Sequence, residues 1–116
     1  MVQGKSIEGI VVGGNIRCFL KLAGTRYFPE MKDKVLLIES LGGRVPQMVT
    51  FLSQLKSVGV FDKIKGIIIG TFTTMEEEKC NPDIITLVKK YAGEDIPIAK
   101  TYDIGHGHNS KAIWIG

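Results

Sequence analysis

Two runs of consecutive apolar residues constrain the fold of this chain more than any other feature. Residues 35–38 read Val-Leu-Leu-Ile, and residues 67–69 read Ile-Ile-Ile with a glycine on either side. A strand with one face in solvent alternates apolar and polar residues, whereas a strand buried on both faces does not. The two runs therefore predict central strands of a mainly parallel sheet.

Segments with helical periodicity separate the predicted strands. Apolar residues recur at three- and four-residue steps from Val45 to Val58, and a similar apolar face follows Pro82 and ends near Gly93. Asn15 is a plausible N-cap for a shorter helix over residues 16–22. Alternating strands and helices predict an α/β fold with a mainly parallel central sheet and two to three helices.

The remaining local patterns predict three strands and three connecting features. The strands are expected over residues 7–12, 96–99 and 112–115. The connecting features are a turn at Gly13-Gly14, an exposed acidic segment over residues 75–79, and a helix cap at Asn81 with Pro82 in the first helical position. Residues 1–116 are expected to form a single domain.

Length and charge narrow the classes of function. The chain has 116 residues, enough for one domain with a core, and its net charge of +3 comes from scattered lysines. Nucleic-acid binding is not expected, because the basic residues do not cluster and no aromatic residue is interleaved with a basic run. No apolar stretch approaches the roughly 18 residues that cross a bilayer, so a membrane is not an expected partner.

Cysteine usage and the two termini indicate the compartment and the extent of the chain. Cys18 and Cys80 are isolated, which favours a reducing environment, and residues 1–5 lack the apolar core of a signal peptide. We therefore expect a cytoplasmic location. The last residues, 114–116, stop within an apolar run, so we expect the chain to be part of a longer protein.

The residues best suited to chemistry follow two of the predicted strands. Glu39 comes directly after residues 35–38, and His106 follows residues 96–99 in a segment with glycine on both sides of the histidine. If the two strands are parallel neighbours, both side chains share the edge where α/β sheets bind ligands. A carboxylate that accepts a hydrogen bond from an imidazole fixes its tautomer and stabilises the imidazolium. Spacing alone nevertheless favours a solvated acid and a turn histidine.

A metal site is the next alternative. His106 and His108 are two residues apart, with Asp103 nearby, and Glu39 or Cys80 would be a further ligand. Zinc requires three protein ligands in catalytic sites and four in structural sites. Nothing in the sequence positions the third ligand, so no metal and no cofactor are expected.

Two further motifs favour structural roles. Gly13-Gly14-Asn15 lacks the glycine spacing of a nucleotide site, so a tight turn with an N-cap is favoured over an anion site. Cys18 lies beside an apolar helical face, which favours a core position over a nucleophile. No Gly-x-Ser-x-Gly elbow occurs, and Ser110 is too close in sequence to His106 to be well aligned by it. A nucleophile for His106 must therefore come from elsewhere or not exist.

Seven segments, in order along nearly the whole chain, resemble the second half of LD-carboxypeptidases, the serine peptidase family that also contains the microcin-immunity proteins. They are residues 9–15, 24–27, 35–39, 52–55, 59–61, 65–70 and 103–106. The resemblance implies a small β/β/α layered domain of the swivelling type. It also implies a Ser-Glu-His triad that is divided between two domains.

The resemblance assigns this chain the role of the C-terminal domain. An N-terminal domain of the same enzyme would hold the serine and the oxyanion hole, and the matching motifs make Glu39 and His106 the catalytic residues of this domain. The implied substrates are murein tetrapeptides, cleaved before a terminal D-residue during peptidoglycan recycling, or peptidyl-nucleotide antibiotics. Without the nucleophile, the isolated chain is expected to be inactive.

Three departures from the family pattern qualify this reading. Ser40 stands where many members carry Asp, and Thr50 stands where many carry Arg, so the substrate preference stays open. Residues 114–116 replace the Pro-Ile-Gly of many members, and the strand that would follow is missing. This predicts an open sheet edge that pairs with a second copy as a homodimer. The alternative function is a non-catalytic α/β module that binds a peptide or partner, either where Glu39 and His106 lie or along the exposed sheet edge.

Overall fold

The elements alternate between strand and helix as the sequence predicts. The computed structural model describes residues 2–23, 25, 26 and 28–101, and the backbone of residues 112–115. In chain order the elements are β1 (Ile7–Asn15), α1 (Ile16–Leu20), β2 (Val35–Ser40), α2 (Val45–Ser57), α3 (Val60–Lys63), β3 (Gly66–Phe72), α4 (Thr73–Glu77), α5 (Ile84–Ala92), β4 (Ile98–Lys100) and β5 (Ala112–Ile115).

The five strands form one sheet in the order β4-β3-β2-β1-β5. Strands β1 to β4 are parallel to their neighbours, and β5 pairs antiparallel with the first part of β1. Strand β2 therefore lies at the centre, and every one of its residues is buried. The predicted α/β class with a mainly parallel central sheet is confirmed.

Alternate residues of the central strands enter two separate apolar clusters. Leu36, Ile38 and Ile69 join the larger cluster, which the helices cover. Val35 and Leu37 face the opposite way, into a smaller cluster with residues of β1, β3 and β4. Continuous apolar runs were therefore the correct signal for strands that are covered on both faces.

The smaller cluster is closed by β1 itself. A Cβ atom on Gly66 would lie 2.9 Å from Cγ2 of Ile7, so the Ile7 side chain packs directly against the backbone at the start of β3. The same part of β1, residues 7–10, pairs with β5. Through this pairing β5 extends the sheet beyond β1.

The two glycines near the end of β1 do not form the predicted turn. Both lie within the strand, which continues to Asn15. Gly13 has φ +117°, and a Cβ atom there would clash with the carbonyl oxygen of Leu37 on β2. The glycine is needed for close approach between two strands, a requirement that local sequence does not reveal. Asn15 caps α1 as predicted, because its Oδ1 accepts a hydrogen bond from the Cys18 backbone N–H at 3.1 Å.

Two helices are additional to the three that the sequence predicts. The predicted helices are α1, α2 and α5, whereas α3 and α4 have only four and five residues. Elements this short show no readable apolar period. The exposed acidic segment predicted over residues 75–79 is wrong in part, because α4 occupies its first half and buries Met75.

The N-cap of α5 is Asp83 and not Asn81. The helix begins at Ile84, so Pro82 precedes the cap instead of occupying the first helical position. The Asp83 carboxylate accepts a hydrogen bond from the Thr86 backbone N–H at 2.8 Å. This bond lowers the pKa of the Asp83 carboxyl below its usual value of 3.8.

Replacing Asp83 with alanine is expected to lower the free energy of unfolding by about 1 kcal/mol at pH 7, the usual effect of losing an N-cap. Because the folded-state pKa is depressed, the stabilisation is present above the ordinary carboxyl pKa and is lost as the pH falls through the lowered value. Urea denaturation at pH 7 and near pH 3 measures the difference. Asp95→Ala at an exposed position is the control. A difference that stays constant with pH would contradict the prediction.

Within the part of the chain that the structure describes, no helix combines the length and the apolar character that crossing a bilayer demands.

Candidate active site

Glu39 lies at the carboxyl end of the central strand. Only 5% of the residue is exposed, and its register partner on β1 is Asn15. The pairing of β2 with β3 is regular up to Ile38 and shifts before Ser40, so an irregularity falls at Glu39. Such irregularities redirect side chains and often lie beside active sites. Spacing alone favours a solvent-exposed acid at this position. That prediction is wrong, because Glu39 is buried.

The turn after Glu39 is held by hydrogen bonds. The Ser40 hydroxyl donates to the Gly42 carbonyl oxygen at 2.7 Å. The Leu41 carbonyl oxygen accepts from both the backbone N–H of Thr74, at 3.1 Å, and its hydroxyl, at 3.0 Å. The Leu41 side chain is nevertheless 67% exposed. The turn therefore displays an apolar side chain next to Glu39 on a fixed backbone.

A partly buried lysine links the carboxyl ends of β3 and β4. Lys100 Nζ donates to the Gly70 carbonyl oxygen at 2.6 Å and to Glu76 Oε2 at 3.0 Å. The same carboxylate oxygen accepts from the Phe72 backbone N–H at 2.6 Å. The Lys100 side chain is only 10% exposed and that of Glu76 is 29% exposed. The ion pair thus joins the ends of two strands to α4.

A second ion pair at this end of the sheet is open to solvent. Arg44 donates to both carboxylate oxygens of Glu78, at 2.7 and 2.8 Å. The hydrogen bonds raise the pKa of the Arg44 guanidinium and lower the pKa of the Glu78 carboxyl. Both side chains are exposed. Exposed pairs contribute little to stability because water screens them.

His106 lies outside the described residues, as do Asp103, His108 and Ser110. The pairing of His106 with Glu39 therefore stays a prediction. The segment that contains His106 follows β4, and β4 runs parallel to β2 through β3. The chain therefore leaves β4 on the side of the sheet where the parallel strands have their carboxyl ends, and Glu39 lies on the same side.

Comparison with known proteins identifies the family to which this domain belongs. Residues 8–116 match the family model described as LD-carboxypeptidase C-terminal domain. The chain belongs to this family.

Relatives of the LD-carboxypeptidase domain are larger proteins. The microcin C7 self-immunity protein MccF of Escherichia coli is 28% identical over 114 residues, which cover 95% of this chain and 33% of the relative. The probable murein peptide carboxypeptidase of Bacillus subtilis is 29% identical over 119 residues, covering 100% of this chain and 37% of the relative. The chain thus spans about a third of the length of these relatives.

A solved structure of wild-type MccF without ligand has the same fold. It superposes with a TM-score of 0.74 at 25% identity, and the match covers 98% of this chain and 35% of that chain. The family is one of serine peptidases, which supports a hydrolase at the level of the family.

The two residues at which the LD-carboxypeptidase domain departs from many members bond locally. Ser40 is buried and donates to Gly42 within the turn. Thr50 is exposed on α2, and its hydroxyl donates to the Pro46 carbonyl oxygen at 3.0 Å. Neither side chain reproduces the charge of the residue it replaces.

The other sequence-based alternatives concern cysteines and metal ligands. Cys18 is exposed and not in the core, because the short helix α1 buries Ile16, Phe19 and Leu20 on its other side. Cys18 and Cys80 are both free thiols. The described residues contain no group of three His, Cys, Asp or Glu side chains suited to a metal, but neither histidine is among them.

Sequence reasoning missed Lys100, Glu76 and Thr74. Lys100 ends an otherwise apolar strand, and a charge at that position was the one available signal. Glu76 and Thr74 belong to a helix too short to predict from its period.

Proposed function

We propose that this chain is the domain that supplies Glu39 and His106 to a serine carboxypeptidase, and that a second domain of the same enzyme supplies the serine and the oxyanion donors. The observation that carries the proposal is the burial of Glu39 at the carboxyl end of the central strand, in a domain of a serine peptidase family. A carboxylate in this position can accept a hydrogen bond from an imidazole, fix its tautomer and stabilise the imidazolium that forms during the reaction.

Chain length is compatible with contact between the two residues. Strands β2 and β4 are two positions apart in the sheet, about 10 Å at the usual strand spacing. Six residue steps separate Lys100 from His106, and a chain of that length reaches up to about 20 Å. The chain is therefore long enough for His106 to reach the carboxyl end of β2, where Glu39 lies.

The proposed chemistry is acyl transfer in two steps. His106 accepts the serine proton as the serine oxygen attacks the carbonyl carbon, and returns it to the leaving amine as the C–N bond breaks. Water then attacks the acyl-enzyme carbonyl with His106 as the base, and His106 returns that proton to the serine oxygen as the acyl C–O bond breaks. Glu39 accepts a hydrogen bond from His106 throughout and stabilises its imidazolium form.

The proposed substrates are amides that end in a D-residue, as in murein tetrapeptides, or peptidyl-nucleotide conjugates. The name of the Bacillus subtilis relative, a probable murein peptide carboxypeptidase, supports the first class, and a solved structure of MccF in complex with aspartyl sulfamoyl adenosine supports the second. We place the enzyme in the cytoplasm, in peptidoglycan recycling, with a peptide substrate and neither nucleic acid nor membrane as a partner. Pairing of the open sheet edge in a homodimer stays a prediction.

The test compares the full-length protein with this domain alone. Each is incubated with a murein tetrapeptide and with a peptidyl-nucleotide conjugate, and the released amine is measured by mass spectrometry. We expect hydrolysis of at least one substrate by the full-length protein and none by the domain. Equal rates for the two proteins, or no hydrolysis of either substrate, would overturn the proposal and leave the binding module as the better account.

A further inference from the structure

Helix α4 contacts two segments, the turn that follows Glu39 and the end of β4. At one end, Thr74 donates twice to the Leu41 carbonyl oxygen, two residues after Glu39. At the other, Glu76 accepts from Lys100, the last residue of β4. A helix of five residues thus connects the turn that follows Glu39 with the strand that precedes His106 in the sequence.

The end of β4 is held mainly through this connection and its backbone pairing. The start of the strand is fixed by backbone hydrogen bonds between Ile98 and Gln3. At the other end the Thr101 N–H donates to the Ile69 carbonyl oxygen at 2.9 Å, and Lys100 adds its bonds to Gly70 and Glu76. A strand of three residues has few ladder bonds, so side-chain bonds at its end weigh heavily in fixing its position.

The Lys100–Glu76 pair differs in kind from the Arg44–Glu78 pair nearby. Side-chain exposures are 10% and 29% in the first pair, against 64% and 44% in the second. Hydrogen bonds between charged groups are stronger out of water, and a buried ion pair is better evidence for a fixed geometry than for added stability. The exposed pair is therefore a matched control for the partly buried Lys100–Glu76 pair.

We propose that Thr74, Glu76 and Lys100 are positioning residues of the LD-carboxypeptidase domain. Acting through α4, they set the distance between the carboxyl ends of β2 and β4, and hence between Glu39 and the segment that contains His106. The inference rests on the proposed function. The physical basis of the inference is that a catalytic base and the carboxylate that orients it must be placed accurately. Displacements of about 1 Å can lower the rate strongly.

The experiment uses the full-length protein with Lys100→Met, Lys100→Arg, Thr74→Val and Thr74→Ser. Steady-state kcat and KM are measured at a temperature at which circular dichroism shows every variant to be fully folded. We expect Lys100→Met and Thr74→Val to lower kcat about tenfold or more, with KM within about twofold of the parent. Lys100→Arg and Thr74→Ser keep the donors and are expected to recover most of the loss.

Two control variants separate this proposal from the proposed function. Arg44→Met removes the exposed ion pair and is expected to leave kcat unchanged. Glu39→Gln reports whether the triad operates at all. If Glu39→Gln loses activity while Lys100→Met and Thr74→Val behave like Arg44→Met, only the positioning role is wrong. If Glu39→Gln keeps full activity, the proposed function is wrong and the positioning role fails with it.

A loss of kcat that is proportional to the loss of folded protein would also overturn the positioning role. So would a loss of kcat that Lys100→Arg and Thr74→Ser do not recover. Such a result would mean that the three residues only stabilise the fold.

Discussion

Replacing His106 with alanine in the full-length protein is expected to lower kcat by about ten-thousandfold or more, with little change in KM. The proposed base removes the serine proton and returns it to the leaving amine, so both halves of the reaction lose their proton carrier. Loss of the base in triads of this kind removes most of the catalytic advantage, and residual activity comes from substrate binding and the oxyanion hole. Amine release from the better of the two substrates is the measurement.

The matched control for this variant is His108→Ala. The two histidines are two residues apart in the same segment, so general disturbance of that segment affects both variants alike. We expect His108→Ala to retain activity within a few-fold of the parent. Near-parental activity in His106→Ala would contradict the assignment, and equal large losses in both variants would point instead to the metal alternative. A zinc assay on the purified protein then decides between them.

Replacing Glu39 with glutamine is expected to lower kcat by about 10²- to 10⁴-fold. The amide keeps the size of the side chain but cannot stabilise an imidazolium, and it favours the wrong tautomer of the histidine. The pH profile of kcat/KM is expected to change as well, because the amide lacks the charge that stabilises the imidazolium form.

Glu77→Gln is the control for the charge change. Glu77 is exposed on α4, near the same end of the sheet, and is not part of the proposed triad. It is expected to leave kcat and the pH profile unaltered. A Glu39→Gln enzyme with a parental rate and pH profile would show that the buried carboxylate serves the fold and not the reaction.

The strands and longer helices of this domain were predictable because their signals are local. The runs that became β2 and β3 could be recognised without knowing which segments cover them, since a strand buried on both faces contains a nearly continuous apolar run. The apolar face of α2 follows from the helical period in the same way. The wrong predictions fall mainly where a residue distant in sequence determines the local conformation. Gly13 is an example, because a carbonyl group of β2 leaves no room for a side chain there.

The candidate site was predictable only in part. Glu39 was a candidate because it follows a predicted buried strand. Spacing favoured a solvent-exposed acid there, and only the resemblance to LD-carboxypeptidases favoured a catalytic role. His106 stays a prediction, because it lies outside the described residues. The contacts of Lys100 with Glu76 join residues 24 positions apart. No local pattern specifies such a contact.

The sequence by itself determined the class of fold, the central strands and the position of Glu39 at the end of one of them, because burial and periodicity are written into neighbouring residues. The tertiary structure decided that Glu39 is buried at the centre of the sheet and that the Ile7 side chain of β1 packs against Gly66 of β3. It also decided that α4 bonds to both strand ends. These features depend on strand order and on packing between distant segments, which a linear pattern does not encode.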